Sequence, residues 1–103
     1  MRDVLADEGP MLVAVMRIRL RAPWVHSLKE KRMIVKSLVS RLQNRFHGSA
    51  AEVGEQDVHQ LMEVGVAAIV PNHAQADSLM ERVSRFVEES CEAEVVSEER
   101  EVR

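Results

Sequence analysis

The sequence is poor in cysteine and in aromatic residues. Its 103 residues include one cysteine, one tryptophan, two phenylalanines and no tyrosine. Because Cys91 is alone, an internal disulfide and a cysteine pair that binds a metal are both excluded. This composition favours a reducing compartment, and we expect a cytoplasmic protein.

Long apolar runs are also absent. No run approaches the roughly 20 residues of a membrane-spanning helix, and no secretory signal precedes the first patterned segment, so we expect no membrane partner. The acidic start ends in Gly9-Pro10, and we expect residues 1–10 to be a disordered extension or to precede a functional start at Met11. Residues 11–103 are then a single domain by length.

Groups for catalysis or metal binding do not converge in the sequence. The histidines fall in predicted loops or at helix ends, without ligand-like spacing to a carboxylate; they are His26, His47, His59 and His73. The segment 22–25, Ala-Pro-Trp-Val, lacks the glycines of a loop that cradles phosphate. We therefore expect a non-enzymatic protein with no metal and no cofactor.

The charges are segregated along the chain, although the formal net charge is only −3. Residues 17–45 hold nine basic residues and one acidic residue, Glu30, for a local net charge of +8. Residues 88–101 hold seven acidic residues and one basic residue, Arg100, for a local net charge of −6. Such segregation marks either a contact with nucleic acid or two elements that pair with one another in the fold.

The first two elements have clear periodicity. Residues 12–21 alternate with a period of two and predict a strand, of which one face is apolar and the other turns basic. Residues 28–46 carry apolar positions every three or four residues and predict a long amphipathic helix. Ser27 and Glu30 form a capping box at the start of this helix, and Gly48 is its expected stop.

The second half of the chain repeats a similar order. Strands are predicted over residues 49–54 and 61–70, and the second is expected to be central because apolar residues occupy both of its faces. Asn72 caps a second helix, whose apolar positions run from 76 to 87. A last, highly charged strand is predicted over residues 92–102.

This order predicts an α+β, ferredoxin-like βαββαβ sandwich, in which a four-stranded antiparallel sheet carries two helices on one face. In that topology the last strand lies beside the first. Glu94, Glu98 or their neighbours can then face the arginines of the first strand, which are Arg17, Arg19 and Arg21. The lysines of the first helix have no such acidic partner in the pattern.

The first helix and the loop before it are a candidate nucleic-acid surface. Basic side chains there can bind phosphates, and the loop tryptophan can stack on an unpaired base. The alternative is a solvated helix face with the tryptophan packed at the domain edge. Neither phenylalanine falls in a strand, so base stacking on the sheet is disfavoured. The candidate residues are Trp24, Lys29, Lys31, Arg32, Lys36, Arg41 and Arg45.

The open face of the sheet is a candidate dimer interface. If the alternation is correct, small and apolar side chains of the first and third strands point away from the helices there. Such a patch can pair with a second copy of the chain, or it can be covered by residues 1–10 or by a bent last strand. The candidate interface residues are Val13, Val15, Gly65, Ala67 and Ile69.

Several segments carry a family resemblance. Residues 12–18 read Leu-Val-Ala-Val-Met-Arg-Ile, residues 26–32 read His-Ser-Leu-Lys-Glu-Lys-Arg, and shorter matches follow at 49–53, 56–57 and 63–67. Together they resemble the YlxP-like family of small bacterial proteins. The resemblance implies a ferredoxin-like fold and a domain of unknown function, often encoded near translation and ribosome-maturation factors. It suggests ribosomal RNA or a ribosomal subunit as partner.

Overall fold

A computed structural model describes residues 9–55 and 58–103 of the chain. Within these residues six elements follow one another in the predicted order, and the ferredoxin-like α+β fold is confirmed. The elements are β1 (Leu12–Arg21), α1 (Leu28–Phe46), β2 (Ser49–Gly54), β3 (Leu61–Val70), α2 (His73–Ser90) and β4 (Glu94–Val102).

The four strands form one antiparallel sheet in the order β2-β3-β1-β4. The predicted central position of β3 and the pairing of the last strand with the first are therefore confirmed. In the β1–β3 ladder Leu12 stands opposite Val70 and Arg21 opposite Leu61. The β1–β4 ladder shifts register after Arg19. This arrangement places the acidic last strand next to the arginines of β1.

The core lies between the sheet and the helices. Alternate residues of β1 and β3, from Ala14 to Leu20 and from Met62 to Val70, are buried against helix residues such as Leu38. Each fully buried valine, leucine, isoleucine or methionine side chain of this core contributes about 1.5–3 kcal/mol by leaving water. Because successive strand residues point to opposite sides, the remaining residues of β1 and β3 face away from the helices.

Both predicted helix starts are confirmed. The Ser27 hydroxyl accepts from the Glu30 N–H at 3.1 Å, and the side-chain oxygen of Asn72, Oδ1, accepts from the Gln75 N–H at 2.8 Å. The reciprocal bond of the capping box differs by one residue. The Glu30 carboxylate accepts from the His26 N–H at 2.8 Å, one residue before the Ser27 N–H that the motif predicts.

The end of α1 differs from the expected glycine stop. His47 holds the left-handed conformation, with φ of 50°, and its N–H donates to the Gln43 carbonyl. Gly48 serves close packing instead, since a Cβ at this position would lie 2.6 Å from the Ala67 carbonyl oxygen. The predicted end of the helix is therefore correct, but the cap is His47 and not Gly48.

Most of the predicted N-terminal extension, residues 1–8, lies outside the described residues. Gly9 and Pro10 are exposed, and the first strand begins two residues later. The division into an extension at 1–10 and one domain at 11–103 stays a prediction. Within the described part of the chain, neither helix has the length and apolar character to cross a membrane.

Candidate nucleic-acid interface

The arginines of β1 are held by carboxylates. Glu63 stands directly opposite Arg19 in the β1–β3 ladder, and its side chain is only 5% exposed. Arg17 Nη1 lies 2.5 Å and Arg19 Nη2 3.0 Å from the Glu63 carboxylate oxygens. The two guanidinium groups therefore cover an acidic side chain that an otherwise largely apolar strand brings to the open face of the sheet.

These contacts change the titration of the pair. The hydrogen bond from Arg19, followed by that from Arg17, holds the pKa of Glu63 below its ordinary value of 4.5. The same Glu63 hydrogen bond raises the pKa of Arg19. Glu63 is thus a charged partner at neutral pH, and the sequence pattern did not identify it as one. Its signal was a single carboxylate in a run of small and apolar residues.

The last strand supplies further acidic partners to β1. Glu99 approaches Arg17 at 3.6 Å, and Glu94 binds Arg21 at 2.9 Å, so the predicted cross-strand pairing is confirmed for Glu94. Glu98 behaves differently. It stands opposite Ile18 on the helix side of the sheet and accepts from the Ser84 hydroxyl at 2.5 Å.

Lys31 does not belong to an exposed basic surface, contrary to its selection as a nucleic-acid residue. Its side chain is 1% exposed. Its Nζ donates to the Val58 carbonyl at 2.8 Å and to the Glu55 carbonyl, and it lies 3.2 Å from Glu52 Oε2. The ammonium group therefore joins α1 to β2 and to the segment that follows β2, and it cannot reach a phosphate in solution.

The burial of Lys31 follows from helical spacing. It stands three residues after Leu28 and four before Val35, on the stripe of α1 that packs against the sheet. Glu52 provides the counter-charge, although its Oε2 completes no hydrogen bond among the described residues. The expectation that the helix lysines lack an acidic partner is therefore wrong for Lys31.

Three other basic residues of α1 form an exposed stripe, which we call the α1 basic face: Lys29, Arg32 and Lys36. Their spacing of three and four residues places them on one side of the helix, away from the core. No carboxylate of residues 9–55 or 58–103 lies within 4.0 Å of their charged groups. The structure thus brings three of the predicted residues together as uncompensated charge.

The remaining predicted residues lie toward α2. Arg41 Nη1 donates to the Ser90 carbonyl at 2.9 Å, near the end of that helix. Trp24 is 43% exposed and lines a groove of about 400 Å³ together with Met33 and Arg41. Arg45 lies over the Phe86 ring. Arg41 and Arg45 therefore do not extend the α1 basic face in a straight track.

A second basic cluster, which the sequence reasoning did not select, lies between the end of α1 and the middle of α2. Arg82 and Arg85 join Arg45 there around the rings of Phe46 and Phe86. The available signal was the spacing of the two α2 arginines, three residues apart in an otherwise acidic helix. The net charge of the surrounding segment is not basic, so local charge density does not indicate this cluster.

The five candidate interface residues do share the open face of the sheet. Val13 stands opposite Ile69, Val15 opposite Ala67, and Gly65 lies beside them in β3. Ile69 is 70% exposed, which makes it the most exposed large apolar side chain of the described residues. Their role in a dimer stays a prediction.

Residues 9–55 and 58–103 contain no cluster of metal-binding side chains. No three side chains of histidine, cysteine, aspartate or glutamate come together there in a way that holds a metal ion. Gln56 and Asp57, which carry part of the family resemblance, lie outside the described residues.

Comparison with known proteins places the chain in a family. Residues 13–100 match the family described as "Protein of unknown function (DUF503)". The match covers all six elements except the first residue of β1 and the last two residues of β4. The chain belongs to the DUF503 family. The match includes Glu63, Lys31 and the α1 basic face, so the features described above lie within the DUF503 domain.

This DUF503 protein is also similar to a curated bacterial protein. It is 38% identical over 68 residues to "Uncharacterized protein YlxP" of Bacillus subtilis (strain 168), covering 66% of this chain and 74% of that relative. The resemblance to the YlxP-like family is thereby confirmed. Neither comparison names a ligand or a partner for the DUF503 domain.

Proposed function

We propose that this protein is a cytoplasmic, non-enzymatic RNA-binding protein that associates with ribosomal RNA or a ribosomal subunit through α1. The observation that carries the proposal is the α1 basic face: Lys29, Arg32 and Lys36 are exposed on one stripe and lack carboxylate partners among the described residues. The arginines of β1, by contrast, have such partners. Uncompensated positive charge on one helix face suits a phosphate backbone.

The shape of the surface agrees with this use. The exposed outer face of a helix in a two-layer sandwich can contact a phosphate backbone, since Arg and Lys side chains bind phosphate oxygens without reading sequence. Trp24 stands in the loop before α1, with 43% of its surface exposed, and can stack on an unpaired base. Among the described residues the strands carry no aromatic side chain, so recognition from the helix layer is favoured over the sheet.

The test compares two triple variants of equal charge change. K29Q/R32Q/K36Q removes the α1 basic face, and R17Q/R21Q/R103Q removes three arginines that are paired with carboxylates. Binding of a fluorescein-labelled fragment of ribosomal RNA is measured by anisotropy over a range of salt concentrations. The first variant should bind more weakly, and its salt slope should fall by about 1 for each phosphate that it no longer neutralises.

The control variant should retain most of the affinity, because its arginines already face carboxylates. Sedimentation of the tagged protein through a gradient of cell lysate then tests the ribosomal assignment. Comigration with one subunit at low salt that disappears at moderate salt and in K29Q/R32Q/K36Q supports it. Equal affinities of both variants for RNA would remove the α1 basic face from the proposal.

The second candidate function is a homodimeric interaction module that uses the open sheet face. It is supported by a shallow apolar groove of about 330 Å³, lined by residues that include Val15, Val53 and Ala67, next to the exposed Ile69. Arg103 and Glu101 place both signs of charge at its border, so opposite charges can meet when the surface pairs with an identical copy.

Light scattering tests the dimer directly. If the wild-type protein is a dimer, Ala67→Arg should convert it to a monomer, because the new charge would be buried in the apolar part of the interface. Val96→Arg, at an exposed position of β4 where the ladder shifts register, is the matched control. A monomeric wild-type protein, or a dimer that survives Ala67→Arg, would exclude this interface.

A further inference from the structure

The arginine cleft lies on the helix layer, between the end of α1 and the middle of α2. It has a volume of about 230 Å³ and is lined by Arg45, Phe46, Arg82, Arg85, Phe86 and Glu89. Arg45 projects toward α2 and not along the stripe that carries the α1 basic face. The cleft is therefore a separate site, and its properties go beyond the proposed function.

The floor of the cleft is fixed by aromatic packing. The rings of Phe46 and Phe86 meet edge to face, with centroids 5.6 Å apart and an angle of 84° between their planes. The Arg45 guanidinium lies 5.7 Å from the centroid of the Phe86 ring, in a cation–π contact. Arg45 is thus held at the cleft before any ligand arrives.

The charge of the cleft is not balanced from within the described residues. Arg82 and Arg85 stand three residues apart on α2 and line the same cleft as Arg45. Glu89 is the one carboxylate among the lining residues, and none of the three guanidinium groups has a carboxylate of the described residues within 4.0 Å. Arg100, by contrast, binds both Glu81 and Glu98.

This arrangement has a specific chemical consequence. Three cations around one cleft repel one another, and an anion that accepts hydrogen bonds from more than one guanidinium offsets that repulsion. Phosphate has oxygens in the geometry that arginine binds in a bidentate manner. The half-buried phenylalanine rings offer an apolar surface beside it, which suits a ribose or a base.

We propose that the arginine cleft binds the phosphate group of a nucleotide. That phosphate can belong to an RNA strand or to a free ribonucleotide, and the chemistry of recognition is the same for both. The site comprises Arg45, Arg82 and Arg85 as phosphate ligands, with Phe46 and Phe86 as the apolar floor. Its position across α1 from the α1 basic face allows it to act independently of that face.

The experiment follows the arginine Nε–Hε signals of the ¹⁵N-labelled full chain by NMR. The probes are inorganic phosphate, uridine monophosphate and a short uridine oligomer. We expect the signals of Arg45, Arg82 and Arg85 to shift together. R82Q/R85Q should weaken the binding of whichever probe shifts these signals by about tenfold or more. The reason is that each hydrogen bond to a charged group contributes strongly to the binding free energy.

Two further variants sharpen the result. R82K/R85K retains the charge but loses the bidentate geometry, so it should bind the probe more weakly than the wild type. K29Q/R32Q has the same charge change as R82Q/R85Q on the α1 basic face and should leave the probe affinity within about twofold. Circular dichroism establishes that each variant is folded, which is expected because all four altered side chains are exposed.

The outcomes separate the sources and the two proposals. A response to uridine monophosphate assigns the cleft to a free nucleotide, and a response to the oligomer alone assigns it to RNA. No shift with any probe, or an unchanged probe affinity of R82Q/R85Q measured through the Arg45 signal, would overturn the cleft proposal. If RNA affinity then still depends on the α1 basic face, the proposed function stands without the cleft. If the cleft binds a probe but K29Q/R32Q/K36Q binds RNA as tightly as the wild type, the cleft proposal stands and the proposed function fails.

Discussion

The arginines of β1 and the basic residues of α1 belong to the same positive segment of the sequence, yet the fold treats them differently. Arg17, Arg19 and Arg21 each meet a carboxylate of a neighbouring strand. Lys29 and Lys36 meet none among the described residues. Charge density along the chain therefore does not measure the charge that a partner can use.

The reason lies in the architecture. A central strand has a neighbour on each side, and residues directly opposite one another have Cβ atoms about 4.5–5.5 Å apart, so cross-strand charges pair readily. The outer face of a helix in a two-layer sandwich has no further layer above it. Lys31 illustrates the rule from within α1, because it lies on the inner face and is bound by Glu52 and two carbonyls.

The largest effect is expected for Lys31→Met. Removing the ammonium group leaves the Glu52 carboxylate and two carbonyl oxygens without their buried partner, which should lower the free energy of unfolding by about 3 kcal/mol. Urea unfolding measures this change. Lys29→Met is the matched control and should remain within about 0.5 kcal/mol of the wild type, because Lys29 is exposed. Equal losses in the two variants would mean that the burial of Lys31 is not what distinguishes them.

A second effect concerns the pH dependence of stability. The folded-state pKa of Glu63 lies below its ordinary value of 4.5, so the unfolded chain binds more protons than the folded protein between those two values. The stabilisation is present above about pH 4.5 and is lost as the pH falls through the folded pKa. The loss of stability with falling pH is the acid limb of the stability profile. In Glu63→Gln the acid limb should be flatter, and stability at neutral pH should be lower.

Thermal unfolding measured from about pH 3 to about pH 7, which includes the range where carboxylates titrate, records how Glu63→Gln changes the pH dependence of stability. Glu99→Gln provides the comparison, since it removes a carboxylate that is 78% exposed and 3.6 Å from the same Arg17. It should alter the acid limb less than Glu63→Gln does. An acid limb unchanged by Glu63→Gln would contradict the role assigned to the Arg17–Glu63–Arg19 cluster.

The smallest effects should have opposite signs in the two regions. Arg32 and Lys36 are like charges four residues apart on α1, so Lys36→Gln should raise stability by about 0.2–0.5 kcal/mol at low salt. Arg21→Gln breaks an exposed pair with Glu94 and should lower stability by less than about 1 kcal/mol. Differential scanning calorimetry at low and high salt measures both. Screening should shrink both changes, and a loss of stability in Lys36→Gln would indicate a structural partner for that lysine.

Several parts of the structure followed from local patterns. The period of two in β1 and the period of 3.6 in α1 gave the bounds of both elements, since these periods arise from backbone geometry. The caps at Ser27 and Asn72 followed from side-chain chemistry within three residues. The pairing of Glu94 with Arg21 followed once the order of elements had fixed the topology.

Other parts did not follow from local patterns. The charge of Lys31 predicts an exposed side chain, whereas its position on the apolar stripe of α1 buries it. The role of Glu63 depends on an alignment with Arg19 that lies 44 residues away in the chain. Arg82 and Arg85 meet Arg45 only because two helices pack side by side. Each depends on a contact between distant segments.

The elements, their order and, through that order, the ferredoxin-like fold follow from local patterns of the chain, because hydrophobic periodicity and capping act over a few residues. Which charges remain uncompensated depends instead on tertiary contacts. Neutralisation depends on distances of a few ångströms between side chains far apart in the chain, and those distances exist only after the strands and helices have packed. In this protein that packing pairs the arginines of β1, buries Lys31 and leaves Lys29, Arg32 and Lys36 facing outward.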